Sequence, residues 1–154
     1  MMEHSQYNLS EMIPVMKRVW EKGGTFSFYP RGTSMQPFLV QGRDKVILSP
    51  APEHLKKYRM VLYQRDNGAY VIHRIVEAEG AVYTMRGDNQ YYVETGIRRE
   101  QILGLVTAVE RDGKIRNMET FKELLPVIFW VETTRIRRKL NRLRSLLNKR
   151  RKVS

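Results

Sequence analysis

A chain of 154 residues is long enough for one domain with a sizeable core and short for two. It has no cysteine, which excludes disulfides, thiolate metal sites and a cysteine nucleophile, and its three histidines (His4, His54 and His73) argue against a histidine-rich metal centre. The formal charge of +12 sits at one end: of 28 basic residues, ten fall in 135–152 with no acid among them, leaving 18 basic against 16 acidic residues before that tail.

Three stretches are predicted: an N-terminal helix over 1–24, a β domain over 25–118 and a basic amphipathic helix over 119–154. Leu9, Met12, Ile13, Met16, Val19 and Trp20 recur at helical spacing, with Ser10 as N-cap and Gly23-Gly24 as a stop. Pro14 suits only the first turn, which shifts the expected start past Ser10. From Thr25 the period becomes two, with Phe26 and Phe28 in a strand that runs into Pro30.

Short β-type runs follow at Lys45–Leu48, Met60–Tyr63, Ala69–Val76, Ala81–Met85 and Gln101–Val109. Between them lie turn residues: Pro50 and Pro52, Asp66-Asn67-Gly68, Gly87-Asp88-Asn89 and, after the last run, Asp112-Gly113. Asn-Gly is a strong hairpin signal. Many short strands punctuated this way predict a mainly β domain of irregular, coiled sheet. Beyond Thr120, Ile136, Leu140, Leu143 and Leu147 fall on one helical face. Thr120 and Glu123 fit a capping box, and Pro126 predicts a kink or restart.

Three residues have the chemistry of an acyl-transfer triad. Ser34 lies in Gly32-Thr33-Ser34-Met35-Gln36-Pro37, where glycine permits close backbone approach and proline fixes the chain beyond it. His73 shares a strand face with Val71 and Ile75, and Asp88 sits in a tight turn. A histidine takes a serine's proton, and a carboxylate holds the histidine's tautomer and stabilises its cation. As residues alone, these features fit an ordinary β-turn, a core histidine and an Asx turn better than they fit a triad.

The segments Arg31–Leu39, Gly42–Val46, Val71–Val76 and Arg86–Asn89 together resemble, in order and spacing, the signal peptidase I family and its LexA-like relatives. The likeness spans about Phe26 to Val109. It implies a signal-peptidase/LexA-like coiled β-sheet domain and a serine endopeptidase that cleaves leader or precursor peptides without metal or cofactor. Ser34 matches the family nucleophile. His73 stands where most bacterial members carry lysine, so the chain resembles the Ser/His branch. A histidine starts near neutrality and needs orientation rather than a large pKa shift, so an acid partner and a base titrating at about 6 to 7 are expected.

Asp88 matches the Gly-Asp-Asn box. Glu94 falls where the Ser/His branch has a further acid, and it is ranked ahead of Asp88 as the histidine partner, with Asp88 holding the turn. The resemblance assigns the oxyanion hole to the Ser34 N–H. Gly32 replaces a second hydroxyl there, which leaves Thr33 as the nearby donor. Gly32, Met35, Pro37, Gly87 and Asn89 shape the supporting turns.

Family members that cut exported proteins have a transmembrane anchor. Here no apolar run reaches about 18 residues, and Met1 to Ser10 lacks a signal-peptide layout. The expected setting is cytoplasmic, peripheral on the membrane's cytoplasmic face if residues 129–152 bind anionic lipid. In that case Phe129 and Trp130 serve as interfacial aromatics and each cation adds about 1 kcal/mol. The alternatives are that the apolar stripe packs on the β domain, or that the whole is an inactive binding protein docked by its tail. The tail lacks a base-reading element, which argues against nucleic acid.

Overall fold

A computed structural model describes residues 9–151, and side chains for residues 9–145. His4, Lys152 and the side chain of Leu147 lie outside what is described. The fold is mainly β, with 36% strand against 29% helix.

The first helix, α1 (Leu9–Glu21), buries Ile13 and Met16. It contains Ser10 and carries Pro14 in its interior, so Ser10 is a helical residue and not the cap. Its end follows the glycine pair: Gly23 has φ +74°, its N–H donates to Trp20 O, and the Gly24 N–H reaches back to Val19 O. These two bonds satisfy carbonyls that the helix end leaves open.

Eight strands follow: β1 (Phe26–Phe28), β2 (Asp44–Pro50), β3 (Met60–Gln64), β4 (Tyr70–Glu79), β5 (Val82–Arg86), β6 (Glu94–Arg98), β7 (Ile102–Arg111) and β8 (Lys114–Asn117). All pair antiparallel in the order β1-β2-β7-β3-β4-β5-β6, with β8 on β7. Register shifts at Ile47/Leu48, Leu62/Tyr63, Ile75/Glu77 and Tyr83/Met85 break the ladders, the kind of irregularity that coils a sheet.

Side-chain alternation along the strands feeds two cores. Met60 and Leu62 join Val46, Leu48, Val106, Val109 and α1 on one side. Val61 and Tyr63 join Ile75, Tyr83, Met85 and Leu105 on the other. β6 and β8 were not expected. β6 is charged and contains Gly96 at φ +74°, while β8 is exposed along its whole length. β8 forms because Asp112 and Gly113 both take positive φ, the geometry of a tight hairpin turn.

The C-terminal pair is α2 (Phe121–Glu132) and α3 (Thr134–Arg151). The expected capping box does not form, since the Thr120 hydroxyl donates to Asn117 O at 3.0 Å instead. Nor does the helix restart at Pro126, which α2 carries inside; the break comes at Thr133. Val127 and Val131 pack on Val76.

Asp44, fully buried at the start of β2, ties this frame to the Ser34 segment. Its carboxylate accepts from Arg111 Nε (2.7 Å), Arg43 Nε (3.0 Å) and the Val40 N–H (2.8 Å), while Arg111 Nη2 also reaches Phe38 O (3.0 Å). Burial pushes this carboxyl's pKa up, but the hydrogen bonds from Arg43, Arg111 and Val40 outweigh burial and hold it at about 2. Because the folded value lies below the unfolded one, the contribution is complete above pH ~4 and is lost as pH falls towards 2. Asp44→Asn is expected to cost roughly 3 kcal/mol in chemical denaturation at neutral pH, because it leaves Arg111 without its counter-charge. It should also flatten the acid limb of stability between those values.

Candidate active site

Ser34 opens a turn that the core holds at two points. Met35 and Leu39 are buried, the Leu39 N–H donates to Met35 O (2.9 Å), and the Gln36–Pro37 bond within it is cis. On the entry side Gly32 has φ +94° and its N–H donates to Gln41 Oε1 (2.7 Å). Ser34 itself is half-buried, Thr33 exposed. Among the described residues neither hydroxyl, nor the Ser34 N–H, is tied up in a hydrogen bond.

The Gly87–Asn89 turn sits directly on this segment. The Asn89 N–H donates to Ser34 O (2.8 Å), and Asn89 Nδ2 to Thr33 O (3.3 Å). A Cβ on Gly87 would lie 2.7 Å from Ser34 O and 2.6 Å from Gln90 Oε1, so the approach requires glycine. Asp88, between them, forms a buried two-point pair with Arg74, 2.7 Å at each contact. Arg74 Nη1 also donates to Tyr58 O, and Trp130 Nε1 donates to Asp88 O (2.8 Å). Trp130 meets Phe38 edge-on at 6.0 Å, so it faces the domain and does not serve as the expected interfacial aromatic.

His73 precedes Arg74 on β4 and therefore points to the opposite face, where it is 2% exposed. Its Nδ1 lies 3.1 Å from Glu94 Oε1 and 3.2 Å from the Tyr63 hydroxyl. Glu94 is brought there by β6, whose register pairs it with Met85, and its carboxylate is gripped by Arg65 (Nε to Oε2, 2.7 Å). The geometry thus puts Glu94 against the imidazole and Asp88 against Arg74.

The charges follow from these contacts. Burial pushes the Glu94 carboxyl up, but hydrogen bonds from Arg65 and Tyr63 and the Arg65 charge more than offset it, so the group titrates below the ordinary carboxylate range. An ionised Glu94 can only accept, which makes Nδ1 the imidazole's donor and leaves its lone pair on Nε2. Burial lowers the His73 pKa; the Glu94 charge opposes this without cancelling it, and Arg65 adds to the lowering. His73 therefore titrates below an ordinary histidine. For Tyr63, burial and the Glu94 charge push the phenol well up, so it stays a neutral donor.

Ser34 and His73 are linked indirectly: the Asn89 N–H to Ser34 O, the Asp88 carboxylate to the Arg74 guanidinium, and Arg74 along the chain to its neighbour His73. Their side chains are not hydrogen-bonded to each other. Behind the turn, α2 and the sheet enclose a cavity of about 220 Å³ lined by Phe38, Met60, Arg74, Val106 and Val127, among others, and neither Ser34 nor His73 lines it. Arg65, Tyr63 and Trp130 were not foreseen as parts of the site. The first reads as a hairpin-turn residue and the second as strand, and no local pattern assigns them to Glu94 or His73.

No protein-family model matches the chain, and no curated protein matches it.

Two outcomes are expected from this geometry. In NMR titration, His73 should keep its neutral shift to below pH ~6.5. Since its folded pKa is depressed, its contribution to stability is present above that pH and lost as pH falls through the folded value. Gly87→Ala should cost about 1–3 kcal/mol of stability, because the added methyl meets the Ser34 carbonyl, a backbone atom that moves only with the whole turn.

Proposed function

We propose that the protein is a serine endopeptidase of the signal-peptidase type, with its sheet a variant of the signal-peptidase/LexA-like coiled β domain and its substrates leader or precursor peptides. The observation that carries the reading is the buried imidazole of His73, with Nδ1 on Glu94, Glu94 gripped by Arg65, and Nε2 left as the lone-pair nitrogen. The four motifs in order, and the bonds joining the Ser34 turn to Asn89, support it.

In this mechanism the substrate brings Ser34 Oγ and His73 Nε2 within hydrogen-bond reach, ~2.6–3.2 Å. Oγ attacks the scissile carbonyl carbon as its proton passes to Nε2, and Glu94 stabilises the imidazolium that forms. The oxyanion is met by the Ser34 N–H, with the Thr33 hydroxyl as the second donor. Collapse breaks the C–N bond, and the imidazolium returns its proton to the leaving amine. Water then attacks the Ser34 ester with His73 as base, releasing the acid and the free serine.

The role of Glu94 matches the division between the acids, since Asp88 is occupied with Arg74 and holds the turn under Ser34. β1, an edge strand that leads into the Ser34 turn, has one side unpaired among the described residues, on which an extended peptide can add as a further strand.

The reading is tested by mass-spectrometric analysis of a peptide library. The wild type should cleave and Ser34→Ala should not. His73→Ala should lose about 10²–10⁴ in kcat/KM, and Glu94→Gln a large part of the same factor. The wild-type kcat/KM should rise along a limb centred below pH ~6.5, in step with the His73 titration. Cleavage that persists in Ser34→Ala, or a limb only well above pH 8, would sink the mechanism. A wild type that neither cleaves nor takes up an active-serine probe would point to a binding protein built on this fold.

A further inference from the structure

The outer side of the C-terminal helices carries an inference that does not depend on the peptidase reading. Backbone bonds from the Thr133 N–H to Phe129 O and from the Arg137 N–H to Thr133 O flank the break, where Thr133 has ψ 2°, so each helix carries its own register. At about 100° per residue, Phe121, Leu125 and Phe129 then fall within one sector of about 80° on α2, and Ile136, Leu140 and Leu143 within one of about 60° on α3. All six are exposed, from 52% to 73%.

This is not the face that holds the helices to the domain. Val127 and Val131 do that from the opposite side, on Val76. Single exposed apolar residues are ordinary, whereas three aligned on one side of each helix give α2 and α3 an apolar row in water. The row is bordered by cations, with Arg135, Lys139 and Arg142 along one edge and Arg144 along the other, and α3 contains no acid. Glu132, which shares the sector of the α2 row at that helix's end, is paired with Lys57 at 2.8 Å. Every residue from 138 to 145 is exposed, and α3 touches the β domain by hydrogen bond through Asn141, on the Tyr91 hydroxyl.

We propose that this face docks on an anionic lipid bilayer, with the apolar row entering the boundary between headgroups and acyl chains while the flanking arginines and lysines meet lipid phosphates. The chemistry of the face selects this occupant. Nucleic acid would satisfy the cations but offers no apolar surface for six side chains. A second copy would satisfy the apolar row but would bring two strongly basic tails together.

The test is co-sedimentation of the full chain with vesicles of phosphatidylcholine alone and of phosphatidylcholine mixed with phosphatidylglycerol. Binding is expected to the mixed vesicles and at least tenfold weaker to the neutral ones. The combined Ile136→Gln, Leu140→Gln, Leu143→Gln variant should lose at least tenfold on mixed vesicles while keeping the wild-type melting temperature, since it changes only exposed side chains. Arg135→Gln with Lys139→Gln and Arg142→Gln should weaken binding by a similar factor. The proposal fails if the apolar variant binds mixed vesicles as well as wild type does, or if neutral and mixed vesicles bind alike. It fails equally if vesicles are ignored while duplex DNA is bound, or while a dimer forms that the apolar variant abolishes.

Discussion

The buried pair of Arg74 and Asp88 is the contact on which the rest of the arrangement depends. Two full charges, each almost wholly removed from water, are tolerable only when the geometry is good and the remaining donors are satisfied. Both conditions are met: two contacts of 2.7 Å join the side chains, and a further Arg74 nitrogen is spent on Tyr58 O. The pair also fixes position. Arg74 belongs to the middle of β4, held by β3 and β5, and Asp88 belongs to a turn with no ladder of its own. The salt bridge fastens that turn to the sheet, and through the Asn89 N–H it fastens the Ser34 carbonyl too.

Strand alternation then separates two environments on one strand. Arg74 faces the side where Phe38, Trp130 and α2 gather, and His73 faces the other, among Val61, Tyr63 and Ile75. Each residue has its own carboxylate, and each carboxylate comes from the far side of β5. Asp88 comes from the turn after that strand and Glu94 from the strand paired to it. An imidazole in an apolar face is disfavoured as a cation, and a neighbouring carboxylate favours it. Burial decides the balance, and Arg65, which pairs with Glu94 and repels a charged His73, adds to it. Such a site holds a neutral, oriented imidazole at rest.

Elements governed by local rules were legible in the sequence: the glycine pair that ends α1, the Asn-Gly and Asp-Gly turns, and the short β-type runs of β2, β3 and β7. Motif order singled out Ser34, His73, Asp88 and Glu94 as candidates, and the fold sets Glu94 against His73 and Asp88 against Arg74. The features that escaped depend on distant contacts. Glu94-Thr-Gly-Ile-Arg has little strand character and is a strand because β5 offers it an edge. Pro126 sits inside α2, and the helix continues past it into the packed residues Val127 and Val131. Trp130, next to Phe129 in a basic amphipathic segment, reads as interfacial, yet one helical step separates a ring 71% exposed at Phe129 from an indole bound to Asp88 O. Arg65 gives no local sign of its partner, which lies 29 residues away.

The C-terminal helices are built into the same framework. Trp130 reaches Asp88 O from α2. Arg137 of α3 lies 3.5 Å over the Trp130 ring and donates to Trp130 O, with its Nε buried and unpartnered. Farther along, Asn141 donates to the hydroxyl of Tyr91, a residue of the segment between Asp88 and Glu94. That segment carries no regular structure between the Asp88 turn and β6, so the helices supply part of what holds it. The orphaned Arg137 Nε is a cost accepted where the guanidinium has to lie flat on the indole. The helix whose outer face is apolar and cationic therefore braces, with its inner face, the loop between the two acids. A displacement of α3 is felt first at Tyr91 and at the Trp130 ring, and from there at the carbonyl of Asp88.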